Sequence, residues 1–327
     1  MTMLPLDRLS SIPTPMKRMA AGFLAVVLVA ELALRLAGAL IPEPRDWYHD
    51  IAQAKAEQLT SMDGTELDLL ITGTSQTYYA IGPRMIDETL GTTSYNAAIP
   101  AGVPPIQERW LLDQVLDRVD TDVVVWGMSV IDLNDGRDLT VLDSYESAHA
   151  TRPGTLAAAE RTLAKGSGLF RYRRQLVDPD AWADRTKLDA IRSVIRDDGQ
   201  RQPSKRTPTA AERRRVSSQV VSDFEVGGIM MASARRTMQQ LDDRGIDVVI
   251  VWLPVPDRLV ELLPHRGDEV RARQKARQLA ADFDATFVDV SEGFTNDDFL
   301  DYTHLGEEAA VRLTHRLSRQ LADGRRT

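Results

Sequence analysis

The chain contains no cysteine in 327 residues. Disulfides, thiolate nucleophiles and cysteine-ligated zinc are therefore excluded. Histidine is scarce: His49, His149, His265, His304 and His315 are the full set. None pairs with carboxylates at a recognisable metal spacing, and His315 reads as surface or helix packing. Positive charge is not in excess. Lys and Arg number 40 against 48 Asp and Glu, a net charge of -8, which argues against nucleic acid as the main partner. There is no internal repeat, and Gly73-Thr74-Ser75 matches neither G-x-G-x-x-G nor a P-loop, so a nucleotide binder is weakly supported. What is present suits a folded protein. Hydrophobic residues make up 43% and charged residues 27%, enough for a sizeable core and against global disorder.

A long apolar run occurs near the N-terminus. Residues 19–41 read MAAGFLAVVLVAELALRLAGALI, about the length of a helix that crosses a bilayer. Glu31 and Arg35 interrupt it four residues apart, where they face each other on a helix. Arg8, Lys17 and Arg18 precede it and acidic residues follow, which by the positive-inside rule puts 1–18 in the cytoplasm and the remainder outside. Two rivals stay open. Residues 20–30 could be the apolar region of a cleaved signal peptide ending near Ala37-Gly38-Ala39, or the segment could be an amphipathic helix packed on a soluble domain.

The expected organisation is a cytoplasmic stretch at 1–18, a transmembrane anchor at 19–41, a polar connector at 42–66 and an α/β domain at 67–327. Five short apolar runs fall at Leu67–Gly73, Thr93–Asn96, Asp122–Gly127, Ile246–Leu253 and Thr286–Val290. The third and fourth are β-branched without polar alternation, as in strands buried on both faces of a parallel sheet. Helical patterns lie between them, at 104–119, 228–244, 269–283 and 306–321, with Gly245 suited to a C′ position. Alternating strand and helix predicts a three-layer α/β/α sandwich around a five-stranded parallel sheet. Trp126 and Trp252 lie in strand runs and read as core. An insertion at 136–225 exceeds a normal crossover. Its stretch 196–217 is polar and basic, and GLFRYRRQL (168–176) mixes aromatics with arginines. It is either a solvated insertion or a surface for anionic lipid or glycan.

The chemistry concentrates in two places. Asp301-Tyr302-Thr303-His304 can put a carboxylate against an imidazole on one loop, so that the acid orients a general base. Ser75 follows the glycine that ends the first strand, where ligands of open parallel sheets bind. A serine there sits at a helix N-terminus, whose free N–H groups can hold an oxyanion. The plainer readings are that Ser75 or Thr74 caps that helix and that His304 caps the helix starting near Gly306.

The ordered blocks GTSQTYYAIGP, SYNAAIPAG, VVVWGMS and DYTHLGEEA resemble the SGNH (GDSL-type) hydrolase superfamily. They are most similar to its membrane-anchored branch, which includes alginate-acetylation and teichoic-acid D-alanylation proteins. The resemblance covers residues 67–135 and 246–323. It implies an SGNH/flavodoxin-like fold with Ser75 as nucleophile, His304 as base and Asp301 as orienting acid. It also implies an oxyanion hole from the N–H groups of Ser75 and Gly102. The third block departs: Ser129 stands where the superfamily has asparagine, with Asn134 and Asp135 further on, and Ser129 Oγ would have to substitute. In the first block Thr74 stands where many members have aspartate.

The expected function is a membrane-anchored, extracytoplasmic serine acyl esterase or O-acyltransferase. Its partners would be an acylated glycan or lipid substrate, the bilayer through 19–41, and a membrane O-acyltransferase. The triad needs no metal or organic cofactor. The rival is a weak or inactive SGNH-fold scaffold that binds glycan or an acyltransferase.

Overall fold

The computed structural model describes residues 14–38, 47–136, 167–171, 194–201 and 209–324. The chain divides into two units. The first comprises residues 1–45 and 152–185. Its main element is α1 (Thr14–Gly38), an Ala- and Leu-rich helix with Phe23, Val26, Val29 and Leu32 exposed. Glu31 accepts from Arg35 Nε at 2.6 Å, so the expected four-residue pair forms. The same carboxylate accepts from Ser167 Oγ (2.8 Å), Gly168 N (2.7 Å) and Leu169 N (3.0 Å). It thereby satisfies donors that open the turn Gly168–Arg171. Among the described residues no helix is long and apolar enough to cross a membrane. Residues 39–41 of the expected span lie outside the described residues, as does most of the motif at 168–176.

The second unit comprises residues 46–151 and 186–327. It holds strands β1 (Thr65–Leu67), β2 (Leu69–Gly73), β3 (Ser94–Asn96), β4 (Val119–Thr121), β5 (Val123–Met128), β6 (Asp247–Trp252) and β7 (Thr286–Asp289). Five form a parallel sheet in the order β3-β2-β5-β6-β7. Successive side chains of a strand point to opposite faces, and both faces here are apolar. Leu70, Val124, Trp126, Ile250 and Trp252 enter one core with Trp110 and Met230. Ile71, Val125, Val249 and Val251 enter another with Leu313 and Leu317. That double burial explains the unbroken β-branched runs in the sequence.

The helices used below are α2 (Trp47–Ser61), α3 (Ser75–Ala80), α4 (Pro83–Leu90), α5 (Pro104–Trp110), α6 (Ile229–Asp242), α7 (Asp268–Asp282) and α8 (Glu307–Gly324). Three differences from expectation are instructive. The polar connector is largely α2, which buries Ile51, Ala54 and Leu59 at helical spacing. The helix expected over 104–119 is α5 followed by a π turn at Leu111–Val115. The chain then enters β4, which pairs with β1 in a separate two-stranded sheet. Asn134 and Asp135 serve packing: Asn134 Nδ2 donates to Val220 O (2.8 Å), and Asp135 accepts from Gly228 N (2.6 Å) and Met230 N (2.8 Å) at the start of α6.

After β2 the chain moves to one side of the sheet, and after β5 to the other. The carboxyl ends of β2 and β5 therefore flank a topological switch point. Gly73 and Gly127 are register partners there. Thr77 of α3 packs against both, and a Cβ on either glycine would meet its side chain. Gly73 also has φ +144, and its added Cβ would lie 2.6 Å from Gly127 O. Gly73→Ala is expected to cost about 3 kcal/mol through overpacking and backbone strain. The shift of the urea midpoint measures it.

Candidate active site

Ser75 is the first residue of α3, directly beyond β2. Thr74 makes no side-chain cap hydrogen bond, so the first N–H groups of α3 are left without that partner. The plain reading of Thr74 as a cap does not hold. His304 lies on a tight loop before α8. Leu300 N donates to His304 O (2.8 Å), Gly306 N to Asp298 O (2.7 Å), and Phe299 bridges Leu305 in antiparallel fashion. The loop brings the imidazole to Ser75 across 229 positions of sequence: His304 Nε2 lies 2.8 Å from Ser75 Oγ. Its other nitrogen, Nδ1, lies 2.8 Å from Asp301 Oδ2.

Asp301 is 1% exposed. Its Oδ1 accepts from Thr303 N (2.8 Å), His304 N (2.8 Å) and Thr303 Oγ1 (3.1 Å). Burial acts to raise its pKa. The hydrogen bond and charge of His304, together with the two N–H groups, outweigh burial and hold the carboxyl well below the usual range. An ionised Asp301 is a fixed acceptor, so Nδ1 carries the proton and Nε2 faces Ser75 as a base. The Tyr79 ring covers the imidazole, with centroids 4.7 Å apart.

The remaining expected site residues have internal partners. Gly102 N donates to Ile99 O at 3.1 Å, closing a turn after β3. A Cβ on Gly102 would lie 2.9 Å from Gly73 O, so its lack of a side chain permits close approach to β2. Ser129 is fully buried and caps the short helix Val130–Leu133 in a reciprocal box with Asp132. Its hydroxyl donates to Gln76 Oε1, and Gln76 Nε2 donates to Thr303 O at 3.0 Å. Where the resemblance led us to expect an asparagine facing an oxyanion, this serine instead ties Gln76, the residue after Ser75, to the loop that bears His304. Ser129→Ala would leave the buried Gln76 carbonyl without its donor. It is expected to cost about 1–3 kcal/mol and to lower kcat by loosening the His304 loop; thermal unfolding and ester turnover together check it.

Several residues that build the site carried no recognisable motif. Gln107 accepts from Thr72 Oγ1 (2.5 Å) and donates to Gly73 O (2.7 Å), fixing the end of β2. Arg258 donates to Asp301 O (2.5 Å) and Phe299 O (3.1 Å), pinning the loop that bears the acid. Lys55 of α2 is fully buried. Its Nζ donates to Asn96 O and to Gly199 O (2.8 Å) and lies 4.3 Å from the centre of the Tyr78 ring. Burial pushes its ammonium well below the usual lysine range, with the charge of Asp198 opposing. Each of these contacts joins segments far apart in sequence, mostly through backbone carbonyls, and leaves no local pattern. Among the described residues no group of three or more His, Asp or Glu could hold a metal ion. His315 is exposed on α8.

No family model matches the chain, and no curated protein matches it. Among solved structures it is similar to a candidate acylhydrolase from Bacteroides fragilis, at 10% identity and a TM-score of 0.42, covering 86% of this chain and 98% of that one. It is also similar to a carbohydrate acetylesterase from Sinorhizobium meliloti (13% identity, TM-score 0.35, 78% and 98% covered). A third likeness is to an inhibitor-bound aryl esterase from M. smegmatis (11% identity, TM-score 0.33, 78% and 98% covered).

Proposed function

We propose that this chain is a serine acyl esterase or O-acyltransferase of the SGNH type. It acts outside the cytoplasm on an acylated cell-envelope glycan or lipid and is held at the membrane by its N-terminal segment. One observation carries the reading: Ser75 Oγ, His304 and Asp301 form a continuous hydrogen-bonded relay, 2.8 Å at each link. His304 Nε2 removes the Ser75 proton as Oγ attacks the ester carbonyl carbon. The tetrahedral oxyanion lies against the N–H groups opening α3, with Ser75 N–H the first donor. His304 then protonates the departing alcohol, leaving an acyl-serine. Water or a sugar hydroxyl then gives up a proton to His304 and attacks the acyl carbon; the bond to Ser75 Oγ breaks, the acyl group passes to the acceptor, and His304 returns the proton to Ser75 Oγ. Water makes the chain an esterase; a sugar makes it a transferase. The membrane placement is supported by the apolar exposed residues of α1 and the basic residues before and within its first turns.

A fluorophosphonate probe should label the wild-type chain at Ser75 and leave Ser75→Ala unlabelled. Equal labelling of both would remove the assignment. The second reading is a scaffold that binds an acylated glycan or a membrane O-acyltransferase without turnover. It is favoured by the internal partners of Gly102 N–H and Ser129 Oγ, which leave fewer donors for an oxyanion. Hydrolysis of p-nitrophenyl acetate that disappears in His304→Ala decides against the scaffold.

A further inference from the structure

Thr303 stands between the acid and the base in sequence, and its side chain also meets both of them in space. Asp301 Oδ1 accepts from Thr303 N (2.8 Å) and from Thr303 Oγ1 (3.1 Å). The same hydroxyl oxygen lies 3.2 Å from His304 Nδ1. Nδ1 therefore has two oxygens within reach, Asp301 Oδ2 at 2.8 Å and Thr303 Oγ1 at 3.2 Å. Thr303 is itself held. Its carbonyl accepts from Gln76 Nε2 (3.0 Å), and Gln76 is tied in turn to the buried Ser129. Arg258 donates to the carbonyls of Phe299 and Asp301 earlier in the same loop. Threonine is β-branched and stiff about χ1, so its oxygen stays where this backbone puts it.

A hydroxyl has one proton, and here two groups could take it. The ionised Asp301 decides between them. Were the hydroxyl to donate to Nδ1, that nitrogen would turn a lone pair towards a carboxylate oxygen 2.8 Å away, and the two would repel. With the proton given to Asp301 Oδ1, a hydroxyl lone pair faces Nδ1–H instead. Both oxygens around Nδ1 then accept from it. The χ2 torsion of histidine is broad, so a single acceptor leaves the ring free to rock. A second acceptor, carried by a different residue, restricts that motion. Rocking matters because Nε2, across the ring from Nδ1, must stay 2.8 Å from Ser75 Oγ.

We propose that Thr303 is a positioning residue of the relay: its hydroxyl donates to Asp301 Oδ1, accepts a second hydrogen bond from His304 Nδ1–H, and thereby holds Nε2 in line with Ser75 Oγ. The proposal rests on the acyl-transfer reading of Ser75, His304 and Asp301. Thr303 touches no reacting atom. It acts through the acid, whose Oδ1 it occupies, and through the orientation of the base.

Steady-state hydrolysis of p-nitrophenyl acetate by the full chain tests this role. Thr303→Val keeps the side-chain shape and both backbone N–H bonds to Asp301 and loses only the hydroxyl. Its kcat should fall about tenfold, as for the loss of one charge-assisted hydrogen bond, with KM unchanged. Thr303→Ser returns the oxygen and should recover most of that loss. A cycle with Asp301→Asn, read as the rate of fluorophosphonate labelling at Ser75, tests the route of action. In that background Thr303→Val should cost about twofold at most, because the acid it works through is already gone. Wild-type kcat in Thr303→Val, equal losses in the Val and Ser variants, or a full tenfold loss in the Asp301→Asn background would each overturn the role. Should Thr303→Val fail to fold, Thr303→Ala takes its place under the same criteria, with thermal unfolding as the check. Ser75→Ala is the control. If it keeps wild-type turnover, the acyl-transfer reading falls and takes the role of Thr303 with it. If it is inactive while Thr303→Val turns over like wild type, only the role of Thr303 falls.

Discussion

Ser75→Ala is expected to lower kcat for p-nitrophenyl acetate by about 10⁵-fold or more, with folding intact. The Oγ atom lies 2.8 Å from His304 Nε2 and supplies the bond that forms in the first step. Nothing nearby replaces it: Thr74 Oγ1 and Thr77 Oγ1 are buried away from solvent. His304→Ala should cost about as much, because a serine without its base is a poor nucleophile. The double variant should be hardly worse than either single one, since the two groups act as a unit. Additive losses would mean that they work separately. Thermal unfolding of each variant distinguishes a chemical loss from a folding defect.

Asp301→Asn is expected to lower kcat by about 10⁴-fold while leaving the loop in place. The reasoning follows from the acceptor pattern. Asp301 Oδ1 receives two backbone N–H groups and the Thr303 hydroxyl. In the variant the amide oxygen must stay on that side, so the amide NH2 points at His304 Nδ1. Nδ1 then has to accept, the ring proton moves to Nε2, and Nε2 can no longer take the Ser75 proton. The pH dependence of stability gives a second readout. The folded carboxyl is held below its ordinary 3.8, so its ionised form stabilises the fold above that pH. This contribution is lost as pH falls below 3.8 towards the folded value. The stability gap between wild type and Asp301→Asn should therefore narrow in that acid window. A constant gap from pH 3 to pH 7 would show that ionised Asp301 adds nothing to the fold.

The central strands β5 and β6 were legible because double burial leaves a mark in sequence: runs such as VVVW and VVIVW have no polar face. Ser75, Asp301 and His304 were legible because each stands at a recognisable strand end or in a short spacing. The pair β1–β4 was not legible, being three residues per strand, too short to show a period. The helix α2 was hidden in a polar stretch because its buried face includes a lysine. Lys55 reads as solvent-facing until the carbonyls of Asn96 and Gly199 are brought to it. Ser129 shows the reverse problem: its position was readable from the block order, but its partner Gln76 was not. A hydroxyl reaches a shorter distance than an asparagine amide, and here the group within reach is a neighbouring side chain.

The two halves of the relay lie 229 residues apart in the chain. A ribosome making this protein releases Ser75 229 positions before His304. Until His304 emerges, the nascent polypeptide carries Ser75 without the imidazole that it meets in the fold. On the acyl-transfer reading, turnover cannot begin until the loop bearing His304 has emerged and packed against α3. On that reading the unfinished chain is silent towards esters, and a first turnover would report that both halves of the relay have folded together.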